Sequence, residues 1–245
     1  MSIRVTLASA LRVLRQVRRD PRTATLLVAI PCVLLVLLRY VFDSAPATFQ
    51  HIGAPLCGLF PFILMFLVAS ITMLRERTTG TLERLMTLPL AKLDLLAGYG
   101  IAFGLLATIQ AGAVCAVGFL ALGLHASHGA WLVGLLAVAN ALLGMALGLF
   151  VSAFARTEFQ AVQFMPAVVF PQMLLCGLFV ARREMAPLLY DISWALPLTY
   201  AYDALQRATR PAPLSAALLV DVLVVVAATA GALALGALTL RRTTA

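Results

Sequence analysis

His125 and His128, three apart in the polar turn HASHG, are the nearest approach to a metal-ligand pair in this chain of 245 residues. A zinc site needs three or four ligands, and no third one suggests itself, so these histidines read as part of a solvated loop and no metal is expected. ATP binding through a phosphate loop would need a lysine followed by Ser or Thr. The single lysine, Lys92, is followed by Leu93. Asp221 stands beside a long apolar run. It is an interfacial acid if the run opens at Val222, and a buried one with a functional role if it opens near Leu214. The densest charge lies in RERTTGTLERLMTLPLAK, residues 75–92, with four cations and two acids between apolar stretches.

The elements that must position these groups follow from composition. With 62% hydrophobic and 11% charged residues and a mean hydropathy of +1.01, the chain is too apolar for a soluble domain. A bilayer core of about 30 Å takes about 20 apolar residues per helix. Six runs qualify: 24–42, 52–74, 95–122, 130–154, 159–181 and 214–240. They leave no room for a soluble catalytic domain, so one all-α membrane domain over 24–245 is expected. Residues 1–23 precede it with six arginines, unlike a cleavable signal peptide. Their apolar positions Ile3, Leu7, Leu11, Leu14 and Val17 recur at helical spacing, which predicts an amphipathic helix lying in the membrane interface and stopped by Pro21.

Six spans put both termini on the same side. Placing them in the cytoplasm leaves Arg39, Arg182, Arg183, Arg207 and Arg210 outside and the other thirteen basic residues inside, as the positive-inside rule requires. The net charge of +8 then faces anionic lipid headgroups rather than nucleic acid. Cys32, Cys57, Cys115 and Cys176 fall within apolar runs and read as buried thiols. Within the spans, Gly100 with Gly104 and Gly144 with Gly148 have the one-turn spacing that lets helices approach closely. Pro166 and Pro171, with Gln160, Gln163 and Gln172, make the fifth span kinked and polar enough to face other helices or a wet cavity. Residues 182–213 are too broken by proline to span. They read as short helices at the outer interface with Tyr190, Trp194, Tyr200 and Tyr202 as an aromatic belt.

Arginine near the bilayer centre costs about 2.5–3.5 kcal/mol, so segment 75–92 belongs to a cytoplasmic loop. Thr81 can cap a short helix there, Glu83 suits its first turn, Pro89 stops it, and Leu82, Leu85 and Met86 form an apolar stripe. A helix this short is marginal alone and needs the membrane or a protein groove to pack on.

The segment resembles the cytoplasmic loop of type-two ATP-binding cassette permeases, the group containing daunorubicin and multidrug exporter membrane subunits. Glu76, Gly80-Thr81, Glu83-Arg84-Leu85 and Pro89 carry the likeness. A second patch agrees in Pro166, Gly177-Leu178-Phe179, Met185-Ala186-Pro187 and Pro197-Leu198-Thr199-Tyr200. The resemblance implies six transmembrane helices, a coupling helix within 75–92 and an outer re-entrant segment over 182–213. It implies a coupling surface of Arg75, Glu76, Gly80, Thr81, Leu82, Glu83, Arg84, Leu85, Met86 and Pro89. It implies two such permeases, a homodimer, with two ATPase subunits that hold ATP and Mg, in a bacterial inner membrane. The second and fifth spans would line the path of a drug, lipid or lipid-linked glycan, with Phe60, Phe62, Phe66, Phe164, Phe170 and Met173 as contacts. An intramembrane enzyme lacks a positioned nucleophile, metal set or acid pair. The serious alternative is an ATP-independent secondary transporter or channel, although such carriers place ionisable groups near the midplane and Asp221 is the only candidate here.

Overall fold

The computed structural model describes residues 3–80, 92–213 and 215–239. Among them the regular structure is all helical. The helices are α1 (Ile3–Arg19), α2 (Pro21–Val41), α3 (Pro46–Thr78), α4 (Lys92–Ala116), α5 (Ala130–Val151), α6 (Glu158–Leu175), α7 (Pro187–Ser193), α8 (Pro197–Thr209) and α9 (Ala216–Thr239). Residues 81–91, which hold Thr81, Leu82, Glu83, Arg84, Leu85, Met86 and Pro89, lie outside the described residues.

Five helices, α2, α3, α4 with its π-helical continuation, α5 with its final 3-10 turn, and α9, are long and apolar enough to cross a membrane. The sequence reading expects six. The run it places at 159–181 forms a helix that ends at Leu175, because Gly177 takes a left-handed φ of +102° that no helix continues through. Most other limits shift by a few residues. α3 is the exception: it extends four residues past the predicted Leu74, so Arg75, Glu76 and Arg77 are helical, and its 33 residues rise about 50 Å, well beyond an apolar layer of about 30 Å. α9 opens at Ala216, so Asp221 lies inside the helix and is buried.

α3 and α5 form the centre and run parallel, Gly144 meeting the backbone of Phe62 and Gly148 that of Phe66 one turn later. A Cβ on either glycine would fall into the facing carbonyl oxygen. α5 also packs against α4, α8 and α9, while α3 contacts α2, α4, α6 and α8. Gly100 has nothing within 4 Å of an added Cβ, and Gly104 meets only Leu142 at an ordinary 3.6 Å, so this second glycine pair makes no close approach. Gly98 does: a Cβ there would lie 2.9 Å from the Thr6 carbonyl of α1.

Candidate coupling site and the cavity at the opposite end

The end of α3 is built to stop and hold. The amide of Thr79 donates to the Arg75 carbonyl at 2.9 Å, and the hydroxyls of Thr78 and Thr79 donate to the Leu74 and Arg75 carbonyls at 3.1 and 2.8 Å. Gly80 then turns with φ +69°, the left-handed residue that closes many helices.

Two ion pairs tie this end down. Arg12 of α1 makes a bidentate pair with Glu76, Nη1 to Oε1 at 2.8 Å and Nη2 to Oε2 at 3.0 Å, and Nη2 also donates to the Tyr99 hydroxyl at 2.8 Å. Glu76 is 3% exposed and Tyr99 fully buried. A carboxylate this buried needs a cation and a second donor system around it, which Arg12 supplies from another helix. Arg12 reaches it because Thr6, Ser9, Ala10 and Val13 form a buried small-residue face of α1 seated on Gly98 of α4. Leu7 and Leu11, on the stripe read from periodicity, stay half exposed. The sequence reading groups Arg12 with the headgroup-facing arginines. An acid between two arginines after an apolar run must find a partner, and that signal pointed to a clamp on Glu76.

The second tie joins α3 to α6. Arg75 grips Glu158 with Nε to Oε1 at 2.6 Å and Nη2 to Oε2 at 3.0 Å, which holds the Glu158 carboxyl below its ordinary range. α6 opens cleanly there. The Thr157 hydroxyl accepts from the Gln160 amide at 3.2 Å, and the Gln160 side chain accepts from the Arg156 amide at 2.8 Å. The Thr157 half matches a Thr-x-x-Gln capping box, while the Gln160 side chain reaches one residue further back than the box requires, and Glu158 adds a favourable charge to the first turn. Of the ten residues that the resemblance assigns to coupling, Arg75, Glu76 and Gly80 are thus brought together at one helix end, and the other seven lie outside the described residues.

The opposite end of the bundle contains a cavity of about 1100 Å³ between the end of α2, the start of α3, the end of α6 and α7–α8. Its inner wall includes Leu38, Phe42, Ile52, Leu56, Phe60 and Met173, and its rim holds Arg182, Arg183, Arg207, Arg210, Tyr190 and Trp194. Of the six apolar residues proposed above as substrate contacts, Phe60 and Met173 line it. Phe62 and Phe66 are fully buried in the core instead, Phe164 packs against the core, and Phe170 is about half exposed.

Segment 182–213 forms the roof. α8 is largely buried, with Leu198, Ala201, Ala204, Leu205 and Ala208 in the core, and Gln206 donates to the His51 carbonyl at 3.1 Å and to the Tyr202 hydroxyl at 2.9 Å. Of the aromatic belt, Tyr202 is buried while Trp194 is exposed. Arg182 pairs with Asp203, whose carboxyl burial pushes up while Arg182 pulls it down. Arg207 Nε donates to Asp221 Oδ2 at 2.7 Å. His128 sits against the Ala208 carbonyl at 3.3 Å, and the His125 amide donates to Gln50 at 3.0 Å, so both histidines fasten the α4–α5 loop.

Two anchored ends, one leading into a charged loop and the other opening a roofed cavity, invite comparison with known membrane proteins. The probable multidrug ABC transporter permease YbhR of Escherichia coli (strain K12) is 28% identical over 148 residues, 60% of this chain and 40% of that protein. ABC transporter G family member 20 of Dictyostelium discoideum is 24% identical over 167 residues, 68% of this chain and 23% of that protein. The matched part therefore spans less than half the length of either relative. The family model described as ABC-2 type transporter matches residues 4–209. That stretch runs from the arginine-rich α1 through the charged loop to the roof helix α8, and the chain belongs to the ABC-2 type transporter family.

Proposed function

We propose that this chain is the membrane-spanning permease subunit of an ATP-driven exporter, moving a hydrophobic or amphiphilic substrate outward by alternating access. Two copies would assemble with two separate ATPase subunits that bind ATP and Mg, in a bacterial inner membrane with both termini cytoplasmic. α6 is the sixth crossing in this reading: it starts beside Arg75 at one end of α3 and finishes at the cavity beside the other. Segment 182–213 is the outer re-entrant element. Segment 75–92 docks on the ATPase, and α3 with α6 lines the substrate path.

The observation that carries the reading is the double clamp at the base of the charged loop. A loop that transmits a push must be rooted in something rigid, because a frayed helix end would absorb the displacement. Here the root is tied firmly to α1 and α4 through Arg12, Glu76 and Tyr99, and more weakly to α6 through the exposed pair of Arg75 and Glu158. Force on the loop would reach three other helices at once.

Co-purification from detergent with the candidate ATPase tests this directly. Wild type should retain the ATPase, and Glu83→Arg combined with Leu85→Asp should lose it while keeping its elution volume and helicity. An ATPase that never associates, or that the double variant binds equally well, would move the uncoupled carrier ahead.

A further inference from the structure

The roofed cavity has a composition that apolar drug binding does not explain. Four arginines line it, and the only acid among its lining residues is Asp203. Asp203 is taken by Arg182, and Asp221 behind the wall is taken by Arg207. Arg183 and Arg210, both exposed, add two further positive charges without a matching acid in the lining. Arg182 differs from them. It is mostly buried, its guanidinium lies 4.5 Å from the Trp194 ring centre, and its Nη1 is a buried donor with no hydrogen-bond partner. That nitrogen is closed off from the cavity, so Arg182 is part of the wall, and Arg183 and Arg210 are the guanidinium groups open to a ligand.

We propose that this cavity binds an anionic amphiphile, with a phosphate or carboxylate head on Arg183 and Arg210 and its chain along Leu38, Phe42, Ile52 and Phe60. An oxyanion supplies the counter-charge that Arg183 and Arg210 do not find among the lining residues, and guanidinium groups suit phosphate and carboxylate better than any neutral head. The apolar wall directly beneath the rim accommodates the tail. The volume, about 1100 Å³, is slightly above the range of small-molecule sites, which run to about 1,000 Å³, and leaves room for a long-chain amphiphile. The ligand can come from the outer leaflet or from the transport path, and both present the same head and tail.

The chain holds two tryptophans, Trp131 and Trp194, so Trp131→Phe leaves Trp194 as a reporter at the cavity rim. Full-length protein in neutral phosphatidylcholine nanodiscs would be titrated with dodecyl phosphate brominated in its tail. Brominated dodecylphosphocholine and brominated dodecanol serve as comparisons. Quenching of Trp194 should saturate at least about tenfold lower in concentration for the phosphate than for either comparison. Arg183→Gln and Arg210→Gln, at exposed positions outside the ion pairs, should each remove about threefold or more of that preference without altering helicity, and the two together should remove most of it. Equal quenching by the three amphiphiles, or a preference untouched by Arg183→Gln and Arg210→Gln together, would overturn the proposal. Binding here does not depend on the exporter reading. Only the source does: with the ATPase present, ATP-dependent loss of the quench marks a transported ligand and an unchanged quench marks a resident lipid, and both uphold the site.

Discussion

Arg12 holds a carboxylate that has almost no water around it, and the consequence is asymmetric. Arg12→Ala strands Glu76 in a site where it is 3% exposed, a loss of about 3 kcal/mol for an unpaired buried charge. Glu76→Gln keeps an acceptor for Arg12 and removes the charge, so about 1 kcal/mol is expected. Thermal unfolding in detergent should rank Arg12→Ala well below Glu76→Gln, and the reverse order would show that the pair does not hold α1 to α3. At this scale the sequence spoke through type more than partner. Glu76 and Gly80 were singled out, yet their reasons, the clamp and the left-handed turn, depend on which helix comes to lie beside them. Arg12 belongs to an arginine-rich stretch in which charge alone does not distinguish the one residue turned inward, and the small face of Thr6, Ser9 and Ala10 that decides it carries no hydrophobic signal.

Helices were legible from apolar runs because long runs leave few alternatives, and their lengths were less so. α3 continues past its last apolar residue because Arg75 and Glu76 find partners on neighbouring helices; hydropathy sees only their cost in lipid. Close packing was half legible. Two glycine pairs share the same spacing, but only Gly144 and Gly148 face a backbone, and no property of the pair itself distinguishes them. Gly144→Ala should therefore force α5 away from α3 and cost about 2–3 kcal/mol by overpacking. Gly100→Ala, with open space around the new methyl, should be neutral or gain up to about 1 kcal/mol. Comparing the two melting temperatures in the same detergent checks this, and equal losses would mean that the contact does not set the helix spacing.

For the whole molecule the open quantity is the number of crossings, because α6 is short, carries two prolines and falls outside the five helices that length and apolarity select. If α6 crosses, Thr157→Cys and Glu184→Cys, placed in a background with the four native cysteines changed to serine, will label from opposite sides of sealed right-side-out vesicles with an impermeant maleimide. Labelling of both from one side would leave five crossings and opposite termini. The sequence could not decide this, since the glutamines and prolines of α6 lower its apolarity below that of the five selected helices while most of its side chains stay exposed. The contact between Gly144 and Phe62 falls at the midpoint of α3, which runs from Pro46 to Thr78. That makes α3 a beam resting on a central fulcrum, with the charged loop on one arm and the cavity wall at Ile52, Leu56 and Phe60 on the other. Over a beam of about 50 Å, a tilt of about 5° moves each tip by about 2 Å, in opposite directions. The arms differ in stiffness. Pro55 and Pro61 both lie on the cavity side, where missing backbone hydrogen bonds let the helix bend, while the loop arm has none. Displacement at the loop arm would thus reach the cavity wall partly as tilt and partly as bending at Pro55 and Pro61.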